Sequence, residues 1–249
     1  LRRILVLVGF ASAEEAKVVC REVEINILRN GENYLVEEDA VRDLIRNNGD
    51  SLEGMPVSSI NVQRLEMLVN TNPWVENAEV YMGINGKVRI DIVQREPLAR
   101  IMNLRGETYY LDRSGDLMVW SPTFTPHVIL VNGSIAETFN THYNTPFGGQ
   151  SPTLETTVLD EVYHLVTLLE SATLWSAQFE QVYVTPQKEF ELIPRVGEHR
   201  ILLGDTTEMK TKLDKLRIFY TEGLNHTGWN QYDTINLKFK NQVVCSKIE

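Results

Sequence analysis

Cysteine is scarce in this sequence: only Cys20 and Cys245 occur among 249 residues, near opposite ends. No C-x-x-C pair is present, so the usual ligand spacing of a structural zinc site and the thioredoxin-like motif are both absent. A disulfide requires its two Cα atoms to lie within about 7 Å of each other. Two interpretations therefore stay open. The cysteines either form a disulfide between the two ends of the chain or remain as two unpaired, partly buried thiols.

An excess of positive charge is also missing. The chain has 24 Lys and Arg against 34 Asp and Glu, a formal net charge of −10. Binding to nucleic acid requires a basic surface, so this class of partner is excluded, and a broad attraction to anionic lipid is disfavoured. The balance of 43% apolar and 23% charged residues is typical of a globular chain with one large domain or two ordinary ones.

No hydrophobic run is long enough to span a bilayer, which takes about 20 residues. The longest N-terminal run covers residues 4–11 and follows Arg2 and Arg3, and the chain begins with Leu. This pattern predicts the end of a membrane anchor or a signal-like remnant, and the alternative is a buried strand. Residues 12–22 contain no helix breaker and predict a helical link to the first domain.

Catalytic motifs are absent as well. The five histidines show no H-E-x-x-H spacing, and there is no G-x-S-x-G elbow, P-loop or G-x-G-x-x-G segment. His164 follows Asp160 by one helical turn. This spacing suits a catalytic base with a carboxylate that orients it, but it favours an exposed pair of side chains on the solvent face of the helix. We therefore predict a protein that is not an enzyme and has no catalytic, cofactor-binding or metal site.

The first half of the chain has clear local patterns. Asn61 is a good N-cap for a helix, and Asn85-Gly86 is typical of a two-residue hairpin turn between alternating apolar residues. The order strand, helix, helix, strand, strand predicts two helices on one face of a three-stranded sheet. These elements are expected at residues 23–27, 37–47, 62–70, 78–84 and 87–92.

The second half is richer in strands. The predicted fold class is α+β, with a small domain at 23–96 and a larger β-rich domain at 97–249 that has a mixed or antiparallel sheet and flanking helices. Residues 132–152 predict a long loop, and Asp205 with Glu208 has the spacing of a helix capping box. Strands are expected near 109–111, 117–119, 127–131, 179–185, 189–193 and 199–203, and a helix near 158–169.

The last predicted strand alternates Ile235, Leu237 and Phe239 with polar residues and continues towards Cys245. Lys238 and Lys240 are charges of the kind that protect the open edge of a sheet. An edge strand can also accept a strand from a partner. An interior strand with one solvated face explains the same pattern, and from the residues alone both interpretations stay open.

Several segments resemble the FtsQ/DivIB family of bacterial cell division proteins. The segments NPWVENAEV and VRIDIVQREPLARI are similar to the POTRA domain of that family, and YYLDRSG is similar to the start of its second domain. The C-terminal segments resemble FtsQ of the Bacteroidetes branch. These segments are residues 72–80, 88–101, 109–115, 212–220, 228–229, 232, 235–239 and 242–245.

The resemblance implies a single-pass protein of the bacterial inner membrane, mostly periplasmic and located at the division septum. It implies a non-catalytic scaffold without cofactors, which binds FtsB- and FtsL-type partners and helps to recruit and regulate septal peptidoglycan synthesis. The partner strand is expected beside the terminal strand, with contacts at Lys238 and Phe239, flanked by Asn236 and Lys240.

Two other functions are compatible with parts of the sequence. A POTRA unit also suits a chaperone-like peptide binder of outer-membrane export, which predicts several such units. A periplasmic hydrolase predicts a polar pocket near His164 or His142.

Overall fold

The structure is a computed structural model that describes residues 18–29, 34–49, 51–121, 124–139, 157–224, 228–229 and 231–247. The chain divides into two compact units, one of residues up to Glu96 with Ser121–Thr125, and one of Pro97–Trp120 with the residues from Pro126 onwards. The predicted anchor at 4–11, His142 and most of the predicted loop at 132–152 lie outside the described residues.

The first unit contains a three-stranded sheet in the order β1-β3-β2, with β1 parallel and β2 antiparallel to β3. The order of elements is the predicted one, which confirms the strand–helix–helix–strand–strand pattern. The elements are β1 (Glu22–Leu28), α1 (Glu38–Asn47), a short 3-10 turn (Val57–Ser59), α2 (Val62–Val69), β2 (Val75–Met82) and β3 (Lys87–Gln94).

Alternation along the strands builds the core of this unit. Val88, Ile90 and Ile92 of β3 are fully buried and belong to the same apolar cluster as Val41 of α1 and Leu65 of α2. The predicted cap of α2 is also present, because the Asn61 side chain accepts a hydrogen bond from the Arg64 amide at 3.0 Å.

One local prediction for this unit is wrong, and another is wrong in the part that the structure describes. The β2–β3 connection has four residues, Gly83–Gly86, and not two, because the Gly83 amide donates to the Lys87 carbonyl and closes a longer turn. Of the predicted helical link at 12–22, the structure describes residues 18–22, and these are extended, since the amide of Cys20 donates to the Met55 carbonyl and that of Arg21 to the Gly86 carbonyl. These bonds hold the segment as an added strand-like edge, with Cys20 buried as a free thiol.

The second unit is built on a nine-stranded mixed sheet in the order β12-β11-β10-β9-β8-β7-β4-β5-β6. The pairs β4–β7, β7–β8 and β10–β11 are parallel and the other pairs are antiparallel. The predicted α+β class is confirmed. The strands are β4 (Pro97–Met102), β5 (Thr108–Asp112), β6 (Leu117–Val119), β7 (Ile129–Gly133), β8 (Phe179–Val184), β9 (Phe190–Pro194), β10 (Arg200–Gly204), β11 (Tyr232–Asn236) and β12 (Val244–Lys247).

Helices cover this sheet through one apolar cluster, to which Leu165, Leu213, Val182 and Ile235 all belong. The helix near 158–169 is confirmed, whereas the short α4 was not predicted. A π-helical turn at Phe219–Leu224 continues α5 towards β11. The helices are α3 (Val158–Glu170), α4 (Thr173–Gln178) and α5 (Met209–Ile218).

A buried histidine lies among aromatic rings between α5 and β10. The Nε2 atom of His199 is 2.8 Å from the hydroxyl of Tyr220, and the ring lies near that of Trp229. Its Nδ1 atom has no hydrogen-bond partner among the described residues. Burial lowers the pKa of His199 below its ordinary value, because a charged imidazolium would lose its hydration.

We predict that this histidine makes the second unit less stable in mild acid. The unfolded chain binds a proton at His199 near pH 6.5 and the folded chain only at lower pH, so the contribution of His199 to the free energy of unfolding is constant above that pH and falls below it, by at most about 1.4 kcal/mol per pH unit for one proton. Urea unfolding at pH 7.5, 6.0 and 5.0 measures this, with His199→Phe expected to show a shallower fall. The exposed His164→Phe serves as the control, and equal slopes for all three proteins would contradict the prediction.

Candidate partner-binding edge

The C-terminal segment forms a hairpin at the edge of the large sheet. β11 pairs in parallel with β10 and antiparallel with β12, with Asn236 opposite Val244 at the closed end. The prediction of one strand running on from residue 235 to Cys245 is therefore wrong. Residues 237–243 turn the chain back, with Asn241 in a left-handed conformation at φ 59°. β11 is an interior strand, and β12 is the edge strand at this end of the sheet, with β6 at the other end.

Apolar side chains fix the inner face of this hairpin. Ile235 and Leu237 are fully buried, and Val243 and Cys245 pack against the same cluster. Cys245 is a free, partly buried thiol, and burial raises its pKa. The hairpin is thus held to the sheet by burial on one face and by two ladders of main-chain hydrogen bonds.

The four predicted contact residues lie together around the turn, although only Asn236 belongs to a strand. The Asn236 side chain accepts a hydrogen bond from the Lys238 amide at 3.0 Å. The ammonium of Lys238 is 2.9 Å from the carboxylate of Glu189. Phe239 keeps 46% of its surface exposed, and Lys240 is exposed as well.

A polar cleft lies beside this turn, between it and the start of α5. Its volume is about 530 Å³, and its walls include Glu189, Asp205, Lys212, Lys215 and Phe239. Each of the two lysines of α5 bonds to the main chain, Lys212 to the Asp205 carbonyl at 2.8 Å and Lys215 to the Phe239 carbonyl at 2.7 Å. The cleft is therefore crossed by ion pairs and hydrogen bonds.

The predicted capping box at the start of α5 is wrong. The N-cap residue is Glu208, with φ 50° and no side-chain cap hydrogen bond. Asp205 instead accepts hydrogen bonds from Lys212 and Thr207 at 2.7 and 2.6 Å. These bonds, with that to Lys212 the strongest, lower the pKa of the Asp205 carboxyl.

The edge strands of the two sheets differ in whether side chains already form hydrogen bonds with their main-chain groups. In the first unit, Arg42 donates to the Val23 carbonyl of β1 at 2.8 Å, and Glu66 accepts from the Val80 amide of β2 at 3.0 Å. In the described part of the chain, no side chain bonds to the main chain of Val244–Lys247. The outer edge of β12 therefore keeps its main-chain groups available, unlike the edges of the small sheet.

Sequence reasoning did not identify several residues of this edge. Val244, 42% exposed, lies on β12 and received no role. Lys212 and Lys215 were predicted only as part of a helix. The sequence near Lys215 gives no local signal that its ammonium contacts a turn more than 20 residues away, so only the tertiary structure identifies this contact.

The rival hydrolase site has no support near His164. That residue is exposed on α3, and the carboxylate of its neighbour Asp160 is bonded to Thr157 in the helix cap. No group of side chains suited to a metal ion is present among the described residues.

Comparison with protein families agrees with this architecture. The model described as FtsQ/DivIB, C-terminal related, matches residues 96–246, which is more than half of the chain. The chain belongs to the FtsQ/DivIB family. The POTRA-like domain model matches residues 18–93 of this FtsQ/DivIB protein. No curated protein matches its sequence.

Membership places the protein in bacterial cell division, in a family of division-site membrane proteins. Both matched domains are of types that are typically not catalytic. Within the residues that the structure describes, every helix is too short or too polar to cross a bilayer.

We predict unequal effects of breaking the Asp205–Lys212 pair. Asp205→Ala leaves the ammonium of Lys212, which is 10% exposed, without its carboxylate partner. The free energy of unfolding should therefore fall by about 1–2 kcal/mol, a range that allows for solvent screening of the exposed Asp205 carboxylate. Lys212→Met keeps the apolar stem and removes the charge, with an expected change of less than about 0.5 kcal/mol. Urea unfolding compares the two variants, and a larger loss for Lys212→Met than for Asp205→Ala would show the prediction to be wrong.

Proposed function

We propose that this FtsQ/DivIB protein is a non-catalytic, membrane-anchored scaffold that binds FtsB- and FtsL-type division partners by strand addition. Through these partners it would help to recruit and regulate septal peptidoglycan synthesis. The bulk of the chain would lie in the periplasm, held by an N-terminal anchor. Family membership supports the division role, and the edge of the large sheet supports the mode of binding.

The observation that carries the proposal is the state of β12. It is one of the two edge strands of the nine-stranded sheet, and its ladder is formed on one side, with β11. A partner strand that pairs with the outer side would make main-chain hydrogen bonds without displacing any side chain of the described protein. At the edges of the small sheet, by contrast, it would first have to displace Arg42 or Glu66.

The side chains around the turn would add specificity to this main-chain pairing. Val244 begins β12 at the closed end of the hairpin, and the turn with Phe239 and Lys240 stands at that same end. A strand along β12 would therefore pass the exposed ring of Phe239 and the ammonium of Lys240. Asn236 and Lys238 would act indirectly, since each helps to hold the turn in its conformation through its own hydrogen bonds.

Side-chain substitutions test the position of the site. We expect a peptide from the FtsB-type protein of the same organism to bind the wild-type chain and to bind Phe239→Asp at least about tenfold more weakly, a loss of about 1.4 kcal/mol. The reason is that a carboxylate would replace the apolar surface beside the edge. Calorimetric titration measures the affinity. The control is Val196→Asp, which changes another exposed apolar side chain in the same unit.

Modified peptides test the mode of binding. N-methylation removes a main-chain donor, and alternate residues of an added strand point their amides towards the edge. Peptides methylated at alternate positions should therefore lose binding in one set and keep it in the other. Equal affinity of both sets would exclude strand addition, and equal affinity of Phe239→Asp and the wild type would move the site away from this turn.

A further inference from the structure

The turn between β11 and β12 is long for a hairpin connection. It covers residues 237–243, and its conformation includes a non-glycine residue, Asn241, with positive φ. Hairpins usually close in two to five residues, and every additional residue held in one conformation costs backbone entropy. A connection of this length therefore needs contacts from outside the hairpin to stay ordered.

One side chain supplies several of these contacts. The ammonium of Lys215, on α5, lies 2.9 Å from the Leu237 carbonyl, 2.7 Å from the Phe239 carbonyl and 3.5 Å from the Gln242 carbonyl. An ammonium has three donors and no acceptor. All three donors are thus directed at the main chain of the same turn, at its beginning, its middle and its end.

The neighbourhood of Lys215 suits this arrangement. Lys215 forms no ion pair with a carboxylate in the described part of the chain, whereas Lys212, one turn earlier, pairs with Asp205. The carbonyl dipoles of the turn therefore replace the counter-ion. Partial burial lowers the pKa of Lys215, with the charge of Lys212 acting in the same direction.

A second tether holds the first part of the turn. Lys238 pairs with Glu189, and its stem crosses Gly204, where an added Cβ atom would lie 2.8 Å from the Lys238 Cγ. This contact fixes residue 238 but does not reach residues 239–242. The middle of the turn, which carries Phe239 and Lys240, is held by Lys215 through the carbonyls of Phe239 and Gln242.

From these contacts we infer that Lys215 is a positioning residue, which holds the β11–β12 turn in one conformation and so pre-orders the outer edge of β12 for its partner. The inference rests on the proposed function for the partner, while the ordering of the turn belongs to the free protein. Pre-ordering lowers the entropy lost on binding, so the residue strengthens binding without touching the partner.

Hydrogen exchange of the free protein tests the ordering. We expect the amides of residues 237–247 to exchange about tenfold faster in Lys215→Met, a change of about 1.4 kcal/mol in local opening, because methionine keeps the stem but has no donor. Lys210→Met removes an exposed charge from the same helix and should leave exchange unchanged. Unchanged protection on β8 and β9 shows that the variant is folded, and unchanged exchange at 237–247 would overturn the inference.

A second variant separates charge from geometry. Lys215→Arg keeps the positive charge, but a planar guanidinium does not match three carbonyls that converge on one point. Its exchange at 237–247 should fall between those of the wild type and Lys215→Met. If Lys215→Arg exchanges as fast as Lys215→Met, the result would still support a contact that needs all three donors of the ammonium. If Lys210→Met loses protection to the same degree as Lys215→Met, a general effect of helix charge would explain the result, and the inference about Lys215 would be overturned.

Binding of the FtsB-type peptide completes the test. The affinity of Lys215→Met should be about tenfold lower than that of the wild type, with Lys210→Met unchanged. If the wild type does not bind the peptide, the proposed function fails, and exchange alone decides whether Lys215 orders the turn. If the wild type binds and Lys215→Met binds equally well despite a loosened turn, the positioning role is overturned while the scaffold function stands.

Discussion

The parallel pairing of β10 with β11 determines where the chain can meet a partner. Two parallel neighbours need a crossover, and here α5 and the following π-helical turn provide it. Leu213, Leu216 and Tyr220 on this crossover are buried in the large cluster. Because the crossover places β11 beside β10, the hairpin that follows adds β12 outside it, and the last strand becomes an edge of the sheet.

The same crossover explains the two lysines that face the turn. Lys212 and Lys215 lie one turn apart on α5, next to Leu213 and Leu216, which pack into the large apolar cluster. Their stems are partly covered, and their ammonium groups reach main-chain carbonyls of the segments before α5 and after β11. The helix that carries the chain across the sheet thus also orders the loops at that end. α5 therefore both packs against the sheet and, through its two lysines, orders the adjacent loops.

The small unit has a different relation to its edges. Side chains of α1 and α2 bond to main-chain groups of β1 and β2, and this protects both strands from unwanted pairing. The large sheet leaves its β12 edge unprotected by side chains in the described residues. The small sheet protects both of its edges, whereas the large sheet leaves the β12 edge open, which is consistent with a surface kept for a partner strand and is the basis of the proposed scaffold.

Local sequence signals predicted the first unit well. Alternation and the Asn61 cap act over a few residues, and their outcome depends little on distant contacts. The C-terminal prediction failed where such signals mislead. The alternation of Ile235, Leu237 and Phe239 suggests one continuous strand, and the turn that follows contains no glycine or proline. Asp205 and Glu208 have the spacing of a capping box, yet the carboxylate of Asp205 accepts a hydrogen bond from Lys212 in the first turn of α5.

By itself the sequence determined the fold class, the order of elements in the first unit and, through its resemblance, the family. It also placed the four predicted contact residues within one short segment. Tertiary structure alone decided that this segment is a turn, that β12 is the edge and that Lys215 bonds to the turn. The physical reason is that strand order and hydrogen bonds to the main chain depend on residues far apart in the chain, whereas periodicity and capping report only on neighbours.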